Sequence, residues 1–98
     1  MEQSQDQIWG FVRQVHDGDT LTLAVTSQSG KNQYEYRDTE KVRLKDTNAP
    51  ELGTRGAQAA KRRLSALVGK RVRCNVFARD KHGRIVCIVV PAPSDYAN

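Results

Sequence analysis

Three stretches of this chain carry side chains suited to chemistry. Asp17 and Asp19 flank Gly18 and are followed by Thr20. Glu51 follows Pro50 in a polar loop over residues 46–53. Hard divalent cations take oxygen ligands from carboxylates, amides and carbonyls. The Asp19 carboxylate, the Asn48 amide and the Ala49 carbonyl offer such oxygens. Arg43 precedes the polar loop, and Arg84 follows Gly83. Arginine binds phosphate through paired hydrogen bonds and stays charged at any working pH. Two arginines facing a cation and a carboxylate suit a phosphodiester whose negative charge grows in the transition state. The residues alone leave a plainer account open: turn formation explains Asp17, and both arginines can be solvated strand residues.

These side chains meet only if the elements around them fold back on one another. Residues 8–25 are strand-like, with Phe11, Val12 and Val15, then Leu21, Leu23 and Val25 in alternation. Asp17-Gly18-Asp19 breaks that run as a tight turn, and residues 27–32 form a second turn pivoting on Gly30. Residues 34–45 read as a third strand, with Val42 and Leu44 on one face and Lys41, Arg43 and Lys45 on the other. A helix follows over 56–68, where Ala57, Ala60, Leu64, Leu67 and Val68 fall on one stripe. Thr54 suits its N-cap and Gly69 its end. Val72, Cys74, Val76 and Ala78 alternate as a fourth strand. Asp80-Lys81-His82-Gly83 is a hairpin turn, and 85–90 a fifth strand stopped by Pro91. This order predicts a mainly β fold: a five-stranded barrel of the oligonucleotide-binding type, with one helix after strand three plugging an open end.

Composition narrows the function classes. The 98 residues fit one domain, with 1–7 a polar tail and 8–98 the barrel. The longest strictly apolar run, 85–90, has six residues where a membrane span needs about 20. Sixteen Lys and Arg against eleven Asp and Glu give a net charge of +5, which favours an anionic partner. Lys61, Arg62, Arg63, Lys70, Arg71 and Arg73 form a basic cluster. It reads either as a solvated face or as a long-range attractor of polyanions that salt would weaken. Cys74 and Cys87 lack the spacing of a zinc site and read as buried free thiols, with a cross-strand disulfide as the alternative. The compartment stays open: secreted or periplasmic if an export signal was removed, cytoplasmic otherwise.

One ordered set of motifs changes the balance. Asp17-Gly18-Asp19-Thr20-Leu21, Val42-Arg43-Leu44, Asn48-Ala49-Pro50-Glu51, Gly56 before a helix ending at Gly69-Lys70, and Asp80-Lys81-His82-Gly83-Arg84 together resemble the staphylococcal nuclease (thermonuclease) family over residues 8–90. The resemblance implies a calcium-dependent nuclease acting on DNA and RNA, preferring single strands and leaving 3′-phosphate ends. It implies calcium ligands from Asp19, Asn48 and the Ala49 carbonyl, and Asp17 ordering metal-bound water. It implies Glu51 as general base, and Arg43 and Arg84 on the phosphate. Lys81 and His82 then belong to the nucleic-acid contact.

Three positions depart from the family. Asn48 stands where its best-known members carry Asp, so one negative charge is lost and weaker metal binding follows, with other divalent metals able to compete. His82 stands where the family often has Tyr. The chain ends at Asn98, where the family continues into further helices, so the domain reads as truncated at its C-terminus. An apolar barrel surface left uncovered there favours a homodimer. The alternative function is a catalytically weak or inactive nucleic-acid-binding module on the same barrel.

Overall fold

Alternating apolar residues build five strands around one core. A computed structural model describes residues 6–45 and 55–92, the side chains of 55 and 57 excepted. The elements are β1 (Asp6–Asp17), β2 (Thr20–Gln28), β3 (Thr39–Leu44), α1 (Arg55–Ser65), β4 (Arg71–Arg79) and β5 (Ile85–Pro91). The strand order β1-β2-β3-β5-β4 closes into a barrel, because β1 pairs with both β2 and β4. β3 and β5 run parallel, and the other four pairings are antiparallel. This is the oligonucleotide-binding type of barrel, with the helix after strand three. No helix of the described residues is long and apolar enough to cross a membrane.

Closure bends β1, whose register against β2 shifts at three places. Such bulges increase local twist and let one strand serve two neighbours. Gly10 sits at the first of them, where an added Cβ would collide with the Ala24 carbonyl oxygen. Inside the barrel Ile8, Leu21, Leu23, Val42, Val72 and Ile85 are fully buried. Each contributes about 1.5–3 kcal/mol of burial. Leu64 of α1 packs into this core. Cys74 and Cys87 are buried free thiols among the same residues. The Cys87 thiol is pushed up by its contact with Cys74 and then by burial, so it stays protonated.

β2 runs on to Gln28, into the stretch read as a turn, and β5 includes Pro91, read as its stop; three further boundaries differ from the sequence expectation for a visible reason. β1 begins at Asp6, two residues inside the stretch read as a polar tail. The Asp6 carboxylate is 2% exposed and accepts the N–H groups of Gln33 and Tyr34 at 2.8 and 3.0 Å and the Tyr36 hydroxyl at 2.6 Å. Those bonds explain the second difference. Residues 34–38 do not join β3, because side-chain carboxylates take their N–H groups: Asp6 that of Tyr34, and Glu40 that of Arg37 at 2.9 Å. Third, α1 stops at Ser65 rather than 68. The chain tightens through Leu67 N–H to Leu64 O and Val68 N–H to Ser65 O. Gly69, at φ 82°, then turns it so that its N–H meets the Val12 carbonyl at 2.8 Å. Val68 is consequently exposed rather than part of the buried stripe.

Candidate functional site on the barrel wall

The first turn holds two carboxylates together. Asp17 pairs with Thr20, leaving Gly18 and Asp19 as a two-residue connection. Asp19 N–H donates to Asp17 Oδ1 at 3.0 Å, and Thr20 Oγ1 donates to Asp19 Oδ1 at 3.1 Å. Burial and then the adjoining Asp17 carboxylate push Asp19 above the usual carboxylate range, partly offset by Thr20 and Arg43. Burial also pushes Asp17 upward, but its hydrogen bonds from Asp19 and Thr20 outweigh that and hold it below the usual range. Two carboxylates this close repel as anions, and a cation relieves the repulsion.

The ladder brings an arginine to this turn. Arg43 pairs with Thr20 across β2–β3, and the next residue, Leu44, donates its N–H to the Asp19 carbonyl at 2.8 Å. Arg43 also pairs with Val86 on β5, two positions beyond Arg84. Side chains two apart on a strand share a face, so Arg43 and Arg84 stand on the same outer wall of the barrel. Val42 and Ile85 alternate inward and are fully buried.

The β4–β5 hairpin fixes Arg84. Gly83, at φ 83°, lies in the five-residue connection 80–84 and holds a conformation that a residue with a Cβ adopts only with strain. The Asp80 carboxylate accepts the N–H of His82 and of Arg84, both at 2.9 Å, and Arg84 Nε at 2.8 Å. Burial opposes ionisation of Asp80, but these bonds to Arg84 and His82 hold it below the usual carboxylate range. Lys81 and His82 are exposed on the same turn. His82, Gly83 and Arg84 form one wall of a cleft of about 690 Å³ that also contains Thr22 and Lys41.

Of the residues singled out in the sequence, the fold collects Asp17, Asp19, Arg43, Arg84 and the Lys81-His82 turn around this wall. Asn48, Ala49, Glu51 and Thr54, the expected N-cap, lie outside the described residues. Among the described residues no group of three or more His, Cys, Asp or Glu forms a metal cluster. The oxygen donors of the first turn nevertheless suit a hard cation by type. Sequence reasoning passed over Asp80, whose signal was its place four residues before Arg84, and Lys41, which pairs with Thr22 on the cleft floor. Of the basic cluster, Lys61, Arg62, Arg63 and Lys70 are solvated, whereas Arg71 is half-buried and donates to the Ala92 carbonyl at 3.1 Å. The chain matches no known protein-family model and no curated protein.

Proposed function

We propose that the chain is a calcium-dependent nuclease of little sequence preference, hydrolysing phosphodiester bonds of DNA and RNA to leave 3′-phosphate ends. The observation that carries this reading is the meeting of the Asp17–Asp19 carboxylate pair with Arg43 through the Thr20–Arg43 register, Arg84 being anchored on the same wall. The role of each residue comes from the resemblance to the staphylococcal nuclease family.

Asp19, Asn48 and the Ala49 carbonyl would hold the calcium, which when bound supplies charge neutralisation at a phosphate oxygen. Asp17 orders solvent beside that site. Glu51 takes a proton from the attacking water. Arg43 and Arg84 grip the phosphate and match the charge that concentrates on its equatorial oxygens as water adds and the bond to the 5′-oxygen breaks. Asp80 engages Nε of Arg84, so the two terminal nitrogens are free to form the paired bonds that phosphate favours.

The test is cleavage of single-stranded DNA by the purified protein. Activity appears with calcium and stops with a chelator. Glu51→Gln and Arg84→Ala each lower kcat about 10²–10³-fold. Wild-type rates in both variants overturn the mechanism. Binding that survives chelation and yields no product assigns the chain to the binding-module class instead. Asn48→Asp adds one negative ligand and tightens calcium binding, read as a lower calcium midpoint for cleavage.

A further inference from the structure

Cations left over after a fold has satisfied its own ion pairs mark a surface that a polyanion completes. Around the cleft the acids Glu40 and Asp80 are each held by an arginine, Arg79 at 3.1 Å and Arg84 at 2.8 Å. Arg37 and Lys41 line the same cleft. Among the described residues neither of their side chains makes an ion pair or a hydrogen bond. Glu35, the remaining acid of the lining, is solvent-exposed.

The cleft is pre-built. Arg79 ties its walls together, donating to Glu40 on one side and to the Gly83 carbonyl at 2.8 Å on the other. Glu40 in turn accepts the Arg37 N–H, fixing the backbone that carries that cation. The floor follows the strand register. His16 Nε2 lies 2.7 Å from Thr22 Oγ1, Thr22 pairs with Lys41, and the parallel pairing of Val42 with Ile85 sets Lys41 beside Arg84. A smaller trough shares Thr22 and Thr39 with the cleft and reaches Arg13 at a bulge of β1. Arg13 is exposed and, among the described residues, also without an ion pair. From β1 across β2 and β3 to β5 is three strand spacings, about 14 Å, so more than one phosphate of an extended chain fits along the row.

We propose that this row is a track for single-stranded nucleic acid, in which Lys41 and Arg37 hold the phosphate next to the one gripped by Arg43 and Arg84, and Arg13 holds the one beyond. The inference rests on the nucleic-acid reading above and adds residues that the catalytic set does not contain. Exposed His82 on one wall of the cleft offers a ring for an unpaired base to stack on.

The experiment measures binding of fluorescein-labelled oligothymidylates of two and nine nucleotides in chelator, where cleavage is stalled. The double variant Arg37→Gln/Lys41→Gln weakens the nine-mer about tenfold and lowers its salt slope by about 0.7, the share of one neutralised phosphate on a single strand. The dinucleotide changes less than about twofold, because it ends before the track. Arg62→Gln/Arg63→Gln on α1 removes the same charge and leaves the nine-mer within about twofold. Lys41→Arg restores affinity to the Lys41→Gln protein, and unchanged melting of all variants shows that folding is intact. Equal losses from the groove and helix pairs overturn the track, as does a nine-mer that does not bind or binds unchanged. A duplex or inorganic polyphosphate of equal charge that competes as well as the nine-mer also overturns it. Track-dependent binding with no calcium-dependent product leaves the inference standing and sinks the nuclease reading alone. Cleavage with an unaltered KM in the groove variant does the reverse.

Discussion

Arg84 is useful only where Asp80 holds it. Its Nε is spent on that carboxylate at 2.8 Å, which aims the terminal nitrogens and removes the entropy of a long side chain before substrate arrives. Asp80→Asn keeps an oxygen for the His82 and Arg84 N–H groups but takes away the charge facing Nε. The expected result is a slightly lower melting temperature that leaves the protein fully folded under assay, with kcat about tenfold lower and KM little altered, since misorientation is felt chiefly in the transition state. A fall in melting temperature that accounts for the lost activity would make Asp80 a turn residue only. Asp19 illustrates the same economy. Its carboxylate is raised by burial and by Asp17, so the pair is poised to accept a positive charge.

At the scale of elements, the segment after β2 is held by side chains rather than by a ladder. Asp6 accepts three hydrogen bonds from residues 33–36, and these outweigh burial in setting its pKa, which lies below the usual carboxylate value. A group whose pKa is lowered on folding contributes stability at neutral pH that is lost as pH falls through the folded value. Asp6→Asn therefore flattens the acid limb of a stability–pH curve below about pH 4. It also destabilises at pH 7 by about 2–3 kcal/mol, read by urea denaturation. Gly10→Ala acts on β1 itself. The new Cβ meets backbone of β2 rather than a movable side chain, so the strand must shift and with it the closure against β4. The expected loss is about 3 kcal/mol or more, in the range reserved for disrupted cores.

At the scale of the whole molecule, the barrel is closed differently at its two ends. Leu64 of α1 packs into the core from one side, while the start of β3 and the end of β4 carry a nearly buried ion pair. Glu40 is 4% exposed and Arg79 one-third exposed, and Arg79 also lies over the Tyr36 ring at 5.8 Å. The Tyr36 hydroxyl is pushed upward by burial and then by Asp6, so it stays a donor throughout the working range. Removing one partner of such a pair strands the other. Arg79→Met should destabilise by about 3–5 kcal/mol. Adding Glu40→Gln should recover part of that, a coupling measurable in a double-mutant cycle. Additive losses would mean the pair has no mutual role. The same Arg79 spans the cleft walls, so its loss also weakens nine-mer binding without touching Lys41.

Much of this was legible along the chain. Val42 and Leu44 against Lys41 and Arg43 show their faces by alternation alone, and the Gly-containing turns at 17–19 and 80–83 announce themselves by residue type. Residues 34–38 misled because Tyr34 and Tyr36 alternate as a strand would, and no local feature reveals that Asp6, about 30 positions earlier, claims their backbone. Asp6 itself looked like tail, since burial of a carboxylate depends on donors that arrive from elsewhere.

By itself, then, the amino-acid order determined the number and order of the strands and which of their residues point outward, because those properties depend on near neighbours and a period of two. Tertiary structure alone decided that Arg43 stands beside Asp19 and on one wall with Arg84, and that Arg37 and Lys41 extend that wall. Such adjacency comes from the antiparallel register of β2 with β3 and from the parallel pairing of β3 with β5. Those contacts join positions from about 24 to 43 residues apart, and nothing in a local pattern carries their register.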